Sequence, residues 1–202
     1  ISLKEAIINF DLLIKTAEKY SNFLRIDMEN SKVTDYTLKI YNHCKSKYSK
    51  VGIVLQAYLF RSMNDIKQLS NKDFNSRICK GIYKESNSIA IHDNDLINNN
   101  FIKMAKFMFK TGAYSGFATH NQDLIDKLLH WIKKENIPKN RFEFQALYGV
   151  PMQGRLENLV ENGFKVRIYV PYGKNWFEYS IRRLKENPNI AGYVLTNLFK
   201  KN

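Results

Sequence analysis

Two adjacent arginines near the end of the chain are the residues best suited to chemistry. Arg182 and Arg183 lie in the segment KVRIYVPYGKNWFEYSIRRLKENPN, where a short apolar run precedes an amphipathic segment. Guanidinium groups are planar and permanently charged, so a neighbouring pair suits a small carboxylate or a phosphate. The alternative is a solvated arginine pair on a helix surface. The context favours binding, because Tyr179 and Glu186 lie about one helical turn away and Tyr169 belongs to the preceding run.

The same order of a strand followed by a helix recurs along the chain. Short runs rich in β-branched and aromatic residues alternate with amphipathic patterns. The predicted strands cover residues 23–28, 51–58, 77–83, 116–121, 142–149 and 166–173. The predicted helices cover residues 3–20, 32–48, 97–111, 122–136, 153–162 and 174–187, with a short helix after the second strand. This alternation predicts an α/β fold with parallel strands joined by helices.

Two architectures fit this alternation: an open doubly wound sheet and a closed barrel. The sequence has no GxGxxG after the first strand and no GxxxxGK[ST], which weakens the dinucleotide-sheet and P-loop interpretations. Polar residues gather instead at the C-terminal ends of the predicted strands, where a (β/α) barrel has its active site. They are Asp27, Glu29, Gln56, Tyr58, Lys80, Tyr83, Thr119, His120, Asn121, Gln145, Tyr148, Tyr169 and Tyr172.

Length and composition bound the class of protein. The chain has 202 residues, enough for one domain, and its net charge of +13 suits an acidic partner such as nucleic acid or an anionic membrane. The lysines are scattered, however, and form no basic arm. Two distant cysteines and the lack of a secretory signal favour a reducing compartment, the cytoplasm. Because the chain begins at Ile1, we expect a piece of a longer protein.

Six segments carry a resemblance to a known family. In order, RIDME, VLQAYLFRS, RICKGIYKE, ATHN, FEFQALYG and RIYVPYG…YSIRRL resemble the monofunctional bacterial proline dehydrogenases. The likeness runs from about residue 20 to the C-terminus. It implies a distorted (β/α)8 TIM-type barrel with FAD as cofactor. It also implies that L-proline is oxidised to Δ1-pyrroline-5-carboxylate by hydride transfer, with electrons passed to a membrane quinone, as the first step of proline catabolism.

The resemblance also implies a role for each matching residue. Arg182 and Arg183 correspond to the carboxylate clamp. The substrate pocket would be walled by Tyr83, Tyr169 and Tyr179. The catalytic residues would be Asp27 and Arg77. The cofactor would be held by Met28, Gln56, Arg77, Lys80, Gly81, Ile82, Thr119, His120, Asn121, Gln145 and Glu186. Glu186 has an alternative role as a surface partner of the two arginines.

Two departures accompany the resemblance. Family members begin with two further strands, the second of which carries an active-site lysine, and nothing here corresponds to them. We therefore interpret residues 1–202 as a partial barrel domain that contains the last six strand–helix units. The family's KGAY is KGIY here, so that Ile82 places a bulkier side chain beside the cofactor.

The residues also offer three alternatives to this interpretation. A metal site at His120 is not predicted, because no second His or Cys lies at metal-ligand spacing. A basic module for nucleic acid rests only on net charge, and we expect no nucleic-acid partner. An inactive barrel fragment is the third alternative. The expected partners are L-proline and a membrane quinone, in the cytoplasm, with peripheral contact at the inner face of the cell membrane as a further hypothesis.

Overall fold

The computed structural model describes residues 2–174, in which helices and strands alternate. The helices are α1 (Leu3–Lys19), α2 (Thr34–Lys47), α3 (Ser62–Leu69), α4 (Asn94–Lys110), α5 (Gln122–Lys134) and α6 (Arg155–Glu161). The strands are β1 (Leu24–Ile26), β2 (Val51–Gln56), β3 (Asn75–Cys79), β4 (Tyr114–Ala118), β5 (Phe142–Leu147) and β6 (Val166–Tyr169). Short 3-10 turns cover Ser31–Val33 and Lys139–Arg141. The predicted positions Tyr179, Arg182, Arg183 and Glu186 lie outside the described residues.

The described residues form two compact units, one up to Ala118 and one from Thr119 onward. In the first unit, strands β1 to β4 pair in sequence order and all run parallel. Ile26 pairs with Ile53, and Val54 with Arg77. Since parallel strands end at the same edge of a sheet, the residues that follow β1, β2 and β3 are neighbours.

One face of this sheet packs against helices and the other carries polar groups. Leu55, Ile78 and Phe117 form one row across β2, β3 and β4, and each is at most 2% exposed. Phe117 contacts Phe101 of α4, with 6.4 Å between the ring centroids. Because side chains alternate along a strand, the positions next to this row face the other way. Gln56 and Arg77 therefore belong to the polar face.

The second unit holds a parallel pair of strands, β5 and β6, in which Gln145 lies opposite Arg167. The sequence FEFQ alternates strictly between aromatic and polar residues. Phe142 and Phe144 pack edge to face at 5.9 Å, and both contact Phe164. The aromatic side of β5 thus builds the core of this unit, while Glu143 and Gln145 take the opposite side.

The helix predicted over residues 174–187 falls almost wholly outside the described residues. The other predicted elements are present, but each strand ends two to four residues before its predicted end. β3 begins at Asn75 and ends at Cys79, and β4 ends at Ala118, several residues before the predicted ends. The reason is local backbone structure: Gly81 adopts φ +108°, and Asn121 caps α5 by accepting a hydrogen bond from the Leu124 amide at 2.8 Å. Within residues 2–174, no helix has the length and hydropathy needed to cross a membrane.

Candidate active site

A carboxylate and a guanidinium meet at the C-terminal edge of the first sheet. Asp27 follows β1, Arg77 lies in β3, and Asp27 Oδ1 is 3.7 Å from Arg77 Nη1. The Arg77 side chain is only 14% exposed, whereas that of Asp27 is 61% exposed. Asp27 Oδ1 also accepts a hydrogen bond from the Met28 amide at 3.1 Å. The charged pair is therefore held at a solvent-accessible edge, with the cation below the anion.

Gln56, the last residue of β2, lies between these two strands and is 2% exposed. Its Nε2 lies 3.4 Å from the Met28 carbonyl oxygen and 3.3 Å from that of Glu29, so it donates to the loop that follows β1. Its Oε1 is buried and accepts no hydrogen bond from any described residue. A buried acceptor without a donor is unfavourable, so this position suits a ligand that donates an N–H or O–H group.

The loop after β3 carries four of the predicted residues. Lys80 is half-buried and donates from Nζ to Asn94 Oδ1 at 3.3 Å; burial lowers its pKa, and the charge of Asp95 opposes that shift. Ile82 is 49% exposed, so its bulk meets little of the described protein. The Tyr83 hydroxyl donates to the Glu29 carboxylate.

Gly81 is required by its backbone and by its neighbour. Its φ of +108° is a conformation that other residues rarely adopt. A Cβ atom added at Gly81 would lie 2.1 Å from the Tyr58 ring. The ring of Tyr58, which is 5% exposed, therefore supports the underside of this turn.

Cys79 is a further neighbour of the charged pair. It lies two residues after Arg77 in β3 and therefore on the same face. Burial, reinforced by the charge of Asp27, raises the pKa of its thiol to about 12. The thiol thus stays protonated at neutral pH.

In the second unit, the predicted ATHN residues form the turn between β4 and α5. Thr119 is 7% exposed; its amide donates to the Gln145 carbonyl at 3.3 Å, and its Oγ1 accepts from the Asn121 amide at 3.1 Å. His120 Nε2 accepts a hydrogen bond from the Leu147 amide at 3.0 Å, which assigns the ring proton to Nδ1. Although part of His120 is exposed, the protein packed around its ring lowers its pKa. A neutral imidazole with Nδ1–H as donor results.

Gln145 is held by a buried carboxylate that the sequence analysis missed. Glu143, 1% exposed, accepts from Gln145 Nε2 at 2.6 Å and from Arg167 at 2.7 and 3.1 Å. Burial raises the pKa of Glu143, but the hydrogen bonds and charges of Arg167, Gln145 and Lys165 outweigh it, so the pKa is lowered overall. The signal was present in FEFQ, whose two polar residues must share one face of β5.

Tyr169, the last residue of β6, is 37% exposed, and its carbonyl accepts a hydrogen bond from the Tyr148 amide at 2.8 Å.

The structure brings the predicted residues Asp27, Met28, Gln56 and Arg77 together in one unit. In the other unit it brings Thr119, His120, Asn121 and Gln145 together. The described residues contain no group of three or more His, Cys, Asp or Glu side chains that could hold a metal ion.

Comparison with known proteins identifies the family of the chain. A family model described as proline dehydrogenase matches residues 1–195. The chain belongs to the proline dehydrogenase family. It is 37% identical over 201 residues to proline dehydrogenase 1 of Bacillus subtilis subsp. natto, and 34% identical over 190 residues to the proline dehydrogenase of Deinococcus radiodurans. The alignments cover 100% and 93% of this chain.

The chain spans 66% of the length of the Bacillus relative and 61% of the Deinococcus relative. Among solved structures, it is similar to proline utilization A (PutA) from Bdellovibrio bacteriovorus inactivated by N-propargylglycine. The TM-score is 0.81 at 27% identity, over 92% of this chain and 22% of that one. The predicted fold class, a TIM-type α/β barrel with six strand–helix units in this chain, is confirmed by this likeness together with the parallel strands.

Proposed function

We propose that the protein to which this chain belongs oxidises L-proline to Δ1-pyrroline-5-carboxylate with FAD as its cofactor. Membership of the proline dehydrogenase family over residues 1–195 is the observation that carries the proposal. The juxtaposition of Asp27, Gln56 and Arg77 at three neighbouring strand ends supports it, because a site for chemistry needs charged and hydrogen-bonding groups converging at one edge.

The residues of the first unit fit a flavin in their hydrogen-bonding chemistry. Gln56 Oε1 is a buried acceptor that lacks a donor among the described residues, and a flavin offers N–H and hydroxyl donors. When bound, the flavin supplies a two-electron acceptor for the hydride that leaves proline. Arg77 contributes a largely buried positive charge, which favours the accumulation of negative charge nearby.

Further cofactor contacts are proposed for residues of both units. In the first unit, Lys80, Gly81 and Ile82 follow β3 directly, and Met28 follows β1. In the second unit, Thr119, His120, Asn121 and Gln145 would serve the phosphate and ribose portion, for which the Nδ1–H of a neutral His120 is a suitable donor. Glu186, outside the described residues, completes this proposed set.

Substrate recognition would depend on the carboxylate of proline. Arg182 and Arg183 are the proposed clamp, since two guanidinium groups can both bind and orient one carboxylate. Tyr83, Tyr169 and Tyr179 are the proposed walls of the pocket. Asp27 is the proposed catalytic carboxylate, placed beside Arg77 at the exposed edge.

We further propose that a membrane quinone accepts the electrons and that the protein works in the cytoplasm. The net charge of +13 supports peripheral contact with an anionic membrane surface. Binding to anionic vesicles that falls as salt rises is the expected result.

The experiment is steady-state oxidation of L-proline by the complete protein, with an artificial electron acceptor and detection of the pyrroline product. Replacing Arg182 or Arg183 by Met should raise KM for proline by about 30-fold or more, since truncating one partner of a charge pair costs roughly 2 to 5 kcal/mol. Flavin content should stay close to that of the unmodified protein. A KM change below threefold, or loss of flavin at unchanged KM, would remove the clamp assignment.

A further inference from the structure

Two loops of the first unit are joined by side-chain contacts that no sequence motif predicted. The loop after β1 presents Glu29 and Ser31, and the loop after β3 presents Tyr83 and Glu85. The Tyr83 hydroxyl donates to Glu29, and two residues further along each loop Ser31 meets Glu85. Each loop thus contributes two contacts, made by residues two positions apart.

Of the two contacts, the one between Glu85 and Ser31 consists of two hydrogen bonds. Glu85 Oε1 accepts from the Ser31 amide at 2.7 Å, and its Oε2 accepts from Ser31 Oγ at 2.7 Å. Ser31 is the first residue of the 3-10 turn that leads into α2, where amide groups lack intrahelical partners and an anion is favoured. These hydrogen bonds lower the pKa of Glu85, so it is a carboxylate at neutral pH.

The loop that Glu85 anchors is long and needs such an anchor. Fourteen residues, 80–93, separate β3 from α4 and form no helix or strand. Near its far end, the loop is fixed to the chain after β2 by hydrogen bonds between Phe60 and Ile89 and between Ile91 and Tyr58. At its near end, Gly81 packs on Tyr58. Between these points, the Glu29–Tyr83 and Ser31–Glu85 contacts link the loop to the β1 side.

We propose that Glu85, through its two hydrogen bonds with Ser31, is a positioning residue that holds Tyr83 in place as a wall of the substrate pocket. The inference rests on the proposed function, because it takes Tyr83 to contact proline. Glu85 itself would touch neither substrate nor cofactor. Its loss should weaken proline binding without removing the flavin, since ordering the freed loop then opposes substrate binding.

The test uses the complete, flavin-loaded protein with four variants. Glu85→Ala should raise KM for L-proline by about 10-fold, the scale of losing hydrogen bonds to a charged group, with kcat changed by less than about threefold. Ser31→Ala, which keeps the amide donor, should have a smaller effect in the same direction. Ser31→Thr keeps the hydroxyl and should restore KM to nearly that of the unmodified protein. Glu135→Gln, an exposed carboxylate after α5, is the matched control.

A second measurement reads the loop directly. Hydrogen–deuterium exchange in flavin-free protein should quicken over residues 80–88 in Glu85→Ala and Ser31→Ala, and should be unchanged in Glu135→Gln. Faster exchange together with a KM increase supports the proposal. Unchanged KM in both Glu85→Ala and Ser31→Ala, or a loss of activity that follows flavin content, overturns it while leaving the proposed function intact. Unmodified protein that binds flavin but does not oxidise proline overturns the proposed function and this inference with it. If the Glu85→Ala protein fails to fold, the comparison of Ser31→Ala with Ser31→Thr tests the proposal alone.

Discussion

Asp27 Oδ1 lies 3.7 Å from Arg77 Nη1, although β2 separates the strands that carry them. The parallel register explains the contact, because Asp27 comes one residue after Ile26 and Arg77 one residue after Ser76, both of which pair with Ile53. The guanidinium therefore reaches across the end of β2 at the level of Val54. The parallel order of β1, β2 and β3 thus brings the two side chains together. Because the pair lies at the strand ends, a ligand can reach it.

Removing the carboxylate of this pair should affect activity much more than stability. Asp27→Asn should lower kcat/KM for proline by about 10-fold or more if the charge acts at the reacting centre. Its free energy of unfolding should change by less than about 0.5 kcal/mol, because Asp27 is 61% exposed. Steady-state kinetics checks the change in kcat/KM, and thermal melting checks the change in stability. Asp35→Asn is the matched control, since Asp35 is 70% exposed and pairs with Arg61 at 2.7 Å.

The turn at Gly81 should not tolerate a side chain. Gly81→Ala combines a positive φ with a Cβ atom 2.1 Å from the Tyr58 ring, so we expect a loss of roughly 2 to 4 kcal/mol of stability. Gly149→Ala separates the two effects, because Gly149 has φ +81° with nothing within 4 Å of the added Cβ. Denaturant unfolding should show a loss of only about 1 kcal/mol there. Equal losses at both positions would contradict the contact with Tyr58.

The buried carboxylate Glu143 should make stability depend on Arg167. Arg167→Met removes the guanidinium that is hydrogen-bonded to both oxygens of Glu143 and leaves the more distant Lys165 as the cation beside it. We expect a loss of about 2 to 3 kcal/mol, below the range for fully buried pairs because the Arg167 side chain is 54% exposed. The double variant Glu143→Met, Arg167→Met should recover much of the lost stability. Lys165→Met, at 3.5 Å and 58% exposed, is the control and should cost under about 0.5 kcal/mol. Equal effects of the Arg167 and Lys165 variants would contradict this assignment.

Acid should weaken the same cluster. The folded pKa of Glu143 is lowered from the usual 4.5, so its contribution to stability is complete above pH 4.5 and is lost as pH falls through the folded value. Unfolding followed across this range should show a dependence on pH that is smaller in the Glu143→Met, Arg167→Met protein.

His120 gives a second pH dependence, in a higher range. Its folded pKa lies below the usual 6.5, so stability is complete above pH 6.5 and falls as the pH drops from there through the lower folded value, when protonation breaks the bond from the Leu147 amide. Titration of the imidazole by NMR in flavin-free protein measures the pKa and should find the proton on Nδ1. His120→Gln offers an acceptor that does not titrate, and should remove this component of the pH dependence. A pKa at or above 6.5 would contradict the neutral assignment.

The sequence predicted the element order well because β5 alternates between aromatic and polar residues in FEFQ, and because runs rich in β-branched residues mark buried strands such as β2. The ends of β3 and β4 were misplaced, since Gly81 and Asn121 end the extended backbone through a left-handed turn and a helix cap that hydrophobicity does not report. Glu85 and Ser31 were missed because they are 54 positions apart and meet only once the loops pack. Glu143 was visible by alternation, but its partner Arg167 depends on the register between β5 and β6.

The most direct test of the central claim is the visible absorption spectrum of the complete protein, recorded without oxygen before and after L-proline is added. We predict flavin bands in the purified protein and their bleaching by L-proline, with no bleaching when Arg182 and Arg183 are both replaced by Met. A protein that stays colourless after incubation with FAD, or flavin bands that L-proline leaves unchanged, would contradict the proposed oxidation of proline.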